Sequence, residues 1–491
     1  MGLKLHNTLT GRVDDFKSIE PNLVKLYTCG PTVYNYPHVG NWFGYIVWDI
    51  LVRVLQANDY NVERVMNITD VGHLTGDNEG DADTGEDKLQ KGARREGKTA
   101  WDVAKFYTED FLEGMNQLNL IMPQHVVKAT DYIPQQLELV RKLKAKGFTY
   151  QIDDGIYFDT SKFKTYADFA HLDLAALQAG ARVEFNPQKR NHSDFALWKF
   201  TPAGENRDME WETPSDLVDN LTNSIMGFPG WHLECSAMAM SILGETLDIH
   251  TGGIDHIPVH HTNEIAQSEA ATDKIFSNFW LHNNHLKAEG TKISKSLGNG
   301  YTLADLLAKG YSPNDYRIFV LQTHYRSEGN FTFDNLTAAK NRLHNWRNIA
   351  TLRHQTHDTL IDDDEKSTDE RSVSLYASSQ AVTEALNDDL NTPAALTIID
   401  DAFSRLANAK LNDIHQHAFN QLLETIDDML GLKLLETTPD VSDDVKRIII
   451  ERQRARTNQD WQTSDNLRAE IEKSGITVRD TPHGPIWEYT D

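Results

Sequence analysis

Leu23-Val24-Lys25-Leu26-Tyr27-Thr28-Cys29-Gly30-Pro31 is an apolar-rich run that ends on Gly and Pro, and it reads as a strand entering a turn. From about Asn41, residues Phe43, Ile46, Val47, Ile50, Leu51 and Val54 recur at helical spacing, with Asp49 and Arg53 set as an i,i+4 pair. Residues 60–68 read as the next strand. A strand, a crossover helix and a further strand predict a parallel sheet with its ligands at the strand C-termini. Strand signals return at 246–250 and 279–285, so the α/β sheet is split by an insertion and completed after it.

Outward from that core, residues 74–97 are rich in Gly, Asp and Glu and are expected to form a surface loop, with a helix over 99–118. Residues 125–200 mix helix with short strand-like pieces such as 155–158 and read as the insertion. Beyond residue 300 the pattern is almost wholly helical, broken by the charged stretch Asp362-Asp363-Asp364-Glu365-Lys366-Ser367. The expected division is 1–124 and 201–300 for the two halves of the sheet domain, with 125–200 between them. Residues 301–361 and 372–434 are expected to be helical regions, and 441–491 a small closing unit.

At roughly 100–200 residues per domain, 491 residues suit three or four domains. Two cysteines exclude a disulfide framework. No apolar run reaches the ~20 residues that span a bilayer, and the N-terminus lacks a signal-peptide pattern. A cytoplasmic address without membrane contact is the expectation. The net charge of −25 argues against nucleic acid as a partner when taken by itself, although a local basic groove is compatible with it.

Three sets of residues carry chemistry. Pro37-His38-Val39-Gly40-Asn41 lies between a strand end and a helix start, where backbone N–H groups and the helix dipole favour a phosphate. His38 there can stabilise charge developing in a transition state; a helix-start histidine without a ligand is the competing reading. Lys292-Ile293-Ser294-Lys295-Ser296 offers two lysines and two hydroxyls for the phosphates of ATP, without being a Walker A loop, and read alone it is equally a solvated basic loop. Cys29, Cys235, His260 and Glu264 supply two thiols, an imidazole and a carboxylate, with the last two sharing a helix face. That donor set suits zinc better than magnesium or calcium, yet such scattered positions also fit unrelated core residues.

Together, the first two elements resemble the signature motifs of class I aminoacyl-tRNA synthetases, quoted as His-Ile-Gly-His and Lys-Met-Ser-Lys-Ser. The blocks Thr28 to Tyr34, Trp231 to Met238, His260 to Gln267, Lys189-Arg190-Asn191, His324-Tyr325-Arg326-Ser327 and Asn391-Thr392-Pro393 are similar to those of cysteinyl-tRNA synthetases. So are Asp480-Thr481-Pro482 and Trp487.

The resemblance implies a Rossmann-like catalytic domain and an all-α anticodon-binding region. It also implies one Zn²⁺ held by Cys29, Cys235, His260 and Glu264 at the floor of the amino-acid pocket. Cys29, Gly30, Thr32, Trp231 and His250 would face L-cysteine. His38, Gly40, Asn41, Gly253, Asp255, Lys292, Ser294, Lys295 and Ser296 would bind ATP with its Mg²⁺, with His38 and Lys295 catalytic. Tryptophans 461 and 487, with arginines 452, 454, 456 and 468, offer stacking and phosphate contacts for tRNA(Cys). A monomer is expected. The chain departs from the family at Trp42-Phe43-Gly44, at Thr251 and at Val259-His260-His261-Thr262. A cysteine ligase acting on an amino-sugar and a non-catalytic RNA-binding paralogue are the alternatives.

Overall fold

The strand read at Leu23–Thr28 forms with those bounds and lies at the centre of the main sheet. The computed structural model describes every residue except 1, 73, 75–86, 173–185, 203, 220–223, 295, 296, 356–369, 483 and 491. Its central strands are β1 (Leu23–Thr28), β2 (Asn61–Ile68), β3 (His125–Lys128), β4 (Leu247–Gly253) and β5 (Ser277–Asn283). They lie in the order β5-β4-β1-β2-β3, with every pairing parallel.

Helix α1 (Val39–Ala57) crosses from β1 to β2 and is buried nearly all round, from Val39, Trp42 and Phe43 to Val54 and Leu55. From β1 the chain builds outward to β2 and β3, then returns to place β4 and β5 on the other side. The crevice between β1 and β4, at their C-terminal ends, is the switch point where such sheets hold ligands. Cys29 begins there, its N–H bonded to the Thr251 carbonyl at 3.1 Å.

Four segments differ from the sequence expectation. Within 74–97, α2 (Lys88–Glu96) is a helix capped by Asp87, whose side chain accepts from the Leu89 and Gln90 N–H groups. Its buried side is only Lys88, Leu89, Gly92 and Ala93, too short a stripe to stand out among charged residues; residues 75–86 lie outside the described part. It is followed by α3 (Ala100–Gln117), capped by Thr99. Strand β3, assigned from sequence to the insertion, pairs with β2 in the central sheet; four half-buried residues carry little pattern. Residues 484–489, in the closing unit, form a hairpin strand with Ile476–Thr481.

The insertion's antiparallel sheet covers Thr149–Ile152, Gly155–Phe158, Phe195–Phe200, Trp211–Glu212 and Met226–Pro229. Its last two strands lie past the bound of 200 expected from sequence, because the polar stretch there hides two short strands. Helices α4 (Trp231–Leu243) and α5 (Thr262–Thr272) then flank β4 in sequence. Among the described residues, no helix is long and apolar enough to cross a membrane.

A buried charge knot fastens the helical back half to α1. The expected Asp49–Arg53 pair forms at 2.7 Å, and Arg317, fully buried, donates to Asp49 as well. Arg317 also reaches the carbonyls of Leu430 at 2.6 Å and Leu118 at 3.0 Å, while Arg53 reaches those of Asp428 and Asn119. Burial pushes the Asp49 carboxyl up, but Arg317 and Arg53 outweigh it and hold the group below the usual carboxylate range.

Removing Arg317 leaves the buried Asp49 carboxylate with Arg53 alone and strips the buried Leu118 and Leu430 carbonyls of the guanidinium that reaches them. Arg317→Met is therefore expected to cost about 3–5 kcal/mol, read as a fall in the urea midpoint. Because the folded-state pKa of Asp49 is depressed, its contribution is present at neutral pH and is lost as pH falls below about 4. The gap between wild type and Asp49→Asn should narrow in that acid window. Equal midpoints for all three proteins at pH 7 would contradict this account of the knot.

Candidate active site and metal centre

Four elements converge at the crevice. Cys29 follows β1, His250 lies on β4, Cys235 on α4, and Glu264 in the first turn of α5. Just before α5 the backbone makes a wide, π-type turn over Ile257–His261, a local widening often found at functional sites. It buries both His260 and His261.

The sequence-derived ligand set is brought together, though not as one group. Cys29, Cys235 and His260 place one donor each within 4.8 Å of one another, and Cys29, His250, His261 and Glu264 form a second such group. Cys29 belongs to both, and Glu264 Oε2 stands 3.8 Å from His260 Nε2 and 3.0 Å from His250 Nε2. His250, placed in the amino-acid pocket from sequence, is thus also a possible donor. His261, 3.5 Å from the Cys29 sulfur through Nε2, was not foreseen; its place beside His260 was the available signal.

The chemistry of these donors fits a metal ion. Both carboxylate oxygens of Glu264 are fully buried and accept no hydrogen bond, a costly state unless a cation faces them. Burial pushes both thiols up, Cys235 well above its ordinary value with the neighbouring sulfur adding to the rise. A bound cation is what converts such thiols to thiolates. Outer contacts orient the imidazoles, as metal sites require. His260 Nδ1 meets His232 Nδ1 at 3.0 Å, and His261 Nδ1 meets His282 Nε2 at 2.7 Å. Trp231 stacks on His260, centroids 4.3 Å apart, and Trp280 stacks on His250 at 4.5 Å.

The two signature segments meet each other at Gly40. His38 caps α1, its N–H donating to Asn41 Oδ1 at 3.1 Å. A Cβ on Gly40 would stand 2.9 Å from both the His38 ring and Ile293 Cδ1, so any side chain there would have to push back the His38 ring and the tip of Ile293. Val39 N–H bonds to Tyr301 O at 2.8 Å, and Asn299 ties the loop through Ser294 N–H and Lys292 O. Lys295 and Ser296 lie outside the described residues. On the opposite side, Gly30 has no room for a side chain because the Asn67 carbonyl would sit 1.7 Å from its Cβ. Thr32 bridges to Thr69, Gly253 ends β4, and Asp255 stands exposed two residues further on.

Residues 15–341 match the family described as the tRNA synthetases class I (C) catalytic domain, 381–435 the DALR domain, and 438–487 the cysteinyl-tRNA ligase anticodon binding domain. A cysteine--tRNA ligase of Treponema denticola is 38% identical, covering 99% of this chain and all of the relative. The cysteine--tRNA ligase 1 of Burkholderia lata is 41% identical, covering 99% and 96%. The chain belongs to the cysteine--tRNA ligase family. In fold it is similar to Mycobacterium tuberculosis methionyl-tRNA synthetase, solved with methionyl-adenylate (TM-score 0.56, 16% identity, 85% of this chain and 91% of that one). Agrobacterium radiobacter LeuRS, solved in a ternary complex with tRNA and LeuAMS, is similar too (TM-score 0.62, 11% identity, 87% of each chain).

As an aminoacyl-tRNA synthetase the chain departs from its motif pattern in ways the packing explains. Trp42 and Phe43 are both buried, Trp42 stacked on Phe111 at 5.2 Å, and Thr251 is buried with its hydroxyl toward the Tyr27 carbonyl. These substitutions fill the core of the synthetase.

Two residues offered for tRNA contact are structural instead. Trp487 is 1% exposed and packs with Ile449, Ile471, Ile476 and Val478 in the closing unit. Arg452 is buried and forms two 2.9 Å bonds to Asp480. Neither can reach a base or phosphate. Trp461, by contrast, is 57% exposed with the Arg456 guanidinium 5.6 Å from its ring.

Proposed function

We infer that the chain activates L-cysteine with ATP to give cysteinyl-adenylate and pyrophosphate, then transfers cysteine to tRNA(Cys). The observation that carries this reading is the buried thiol, imidazole and carboxylate cluster around Cys29, in a chain whose two signature segments meet at Gly40 and Ile293. Cys29, Cys235, His260 and Glu264 would hold Zn²⁺, with His250 and His261 close enough to share in or support the shell. When bound, the ion supplies a Lewis-acidic centre that favours a substrate thiolate over a serine hydroxyl.

The substrate carboxylate attacks the α-phosphorus of ATP and pyrophosphate leaves. His38, the N-terminus of α1 and the Lys292–Ser296 loop stabilise charge on the phosphates, with Mg²⁺ arriving on ATP. Asn41 fixes the His38 backbone, while Gly253 and Asp255 hold the ribose. Gly30, Thr32 and Trp231 shape the amino-acid pocket. A ribose hydroxyl at the end of the tRNA then attacks the activated carbonyl and AMP leaves, a step served mainly by positioning. The protein acts as a monomer in the cytoplasm, where its two thiols stay reduced.

Charging of a tRNA(Cys) transcript with cysteine and with serine tests the reading. A site built for one polar bond rejects a substrate lacking it by ~10⁴ or more, so serine should be charged at least ~10⁴-fold less efficiently. Comparable charging by serine would refute it. Trp461→Ala should raise KM for tRNA about 5–10-fold, the cost of one lost stacking contact, with the exchange reaction unaffected.

A further inference from the structure

A shelf of exposed aromatic rings and cations borders the His38 segment, and none of the roles above uses it. Tyr36 and Phe106 are 43% and 41% exposed, with ring centroids 6.0 Å apart. Both stand edge-on against the buried Tyr107, each at 5.1 Å. Lys98 Nζ lies 4.9 Å from the Phe106 centroid. The shelf is held rigidly. Arg95 donates to the Tyr34 carbonyl at 3.2 Å and to the Tyr107 hydroxyl at 3.3 Å, and that hydroxyl donates to Glu96 at 2.6 Å. Helix α2 is thereby fixed against the turn that leads through Tyr36 into His38.

The charge of this shelf opposes that of the chain. Residues 88–98 carry Lys88, Lys91, Arg94, Arg95 and Lys98 against the single acid Glu96. Glu96 pairs with Arg95 at 2.8 Å and Lys98 at 3.4 Å, and α3 adds Asp102 near Lys98. The excess is still positive, in a protein of net charge −25. Lys91, Arg94, Arg95 and Lys98 are exposed. Concentrated positive charge on an acidic protein selects a polyanion, and exposed rings beside it select one that carries bases. Single-stranded nucleic acid combines both.

We propose that this shelf seats the unpaired 3′ end of the tRNA, with a base on the Tyr36–Phe106 face and backbone phosphates against Arg95 and Lys98. The proposal rests on the functional reading above, because the acceptor ribose must reach the activated carbonyl near His38. Tyr36 lies two residues from His38, so a strand entering the crevice from this side crosses the shelf.

The full-length enzyme tests this with Phe106→Ala, Phe106→Trp and Lys98→Gln. Three quantities are read: cysteine-dependent ATP–pyrophosphate exchange without tRNA, charging of a tRNA(Cys) transcript, and binding of intact transcript against one lacking its last four nucleotides. Phe106→Ala should keep exchange within about twofold, lower charging kcat/KM about tenfold or more, and erase the affinity advantage of the intact transcript. Phe106→Trp should restore charging. Lys98→Gln, a change at an exposed side chain, should reproduce part of the loss if Phe106→Ala disturbs the fold.

Unchanged charging in both Phe106→Ala and Lys98→Gln would overturn the proposal. So would exchange falling in parallel with charging, which would assign the shelf to ATP. Equal loss of affinity for both transcripts would overturn it too. A wild-type enzyme lacking cysteine-dependent exchange would instead sink the functional reading itself.

Discussion

Cys235→Ser is expected to release the bound metal and to lower cysteine-dependent ATP–pyrophosphate exchange by more than ~100-fold. Loss of an outer-shell partner in a metal site already costs ~10–100-fold, and Cys235 is one of only two sulfurs in the cluster. The substitution keeps size and removes softness, since a hydroxyl remains protonated where a thiol is converted to thiolate. Cys235 is 1% exposed and packed in the main core, so serine should be tolerated sterically. Metal content by elemental analysis and the exchange rate should fall together while the thermal unfolding of the chain remains cooperative. Retained stoichiometric metal with full exchange would remove Cys235 from the site.

The second large effect is expected at the phosphates. His38→Ala should reduce kcat for adenylate formation by ~10²–10³, the range found when one donor to a developing charge is removed. KM for cysteine should change little, because the proposed mechanism sets His38, the cap of α1, against ATP, whereas the sulfur-bearing cluster lies around Cys29. A change confined to KM would show that His38 binds the ground state and does not act in the transition state. The same substitution removes a ring that stands 2.9 Å from a Cβ position on Gly40, so thermal stability should be followed alongside.

What the sequence made legible follows from where the signals are strong. Strand β1 is legible to the residue and α1 to within about a turn at each end, because a buried parallel strand and a helix buried nearly all round are dense in apolar residues. The Asp49–Arg53 pair was visible from spacing, but its third member Arg317 lies 268 residues from Asp49 and no local pattern announces it. Helix α2 and strand β3 escaped because each is short and shows little apolar face.

At the candidate metal centre the four donors expected from sequence lie in two overlapping groups that share Cys29, with His250 and His261 among them. His261 enters through the wide turn at 257–261, a backbone feature that i,i+4 reasoning on a regular helix does not produce. Trp487 and Arg452 were misplaced for the converse reason: an aromatic and a cation in a charged helical segment look like surface residues. Here one fills a small core and the other answers Asp480.

X-ray absorption at the zinc edge, on the purified enzyme with and without L-cysteine, tests the central claim most directly. The account predicts about one zinc per chain with two sulfur neighbours near ~2.3 Å, rising to three when cysteine is added and staying at two with serine. A shell of nitrogen and oxygen alone, or one that does not respond to cysteine, would contradict it.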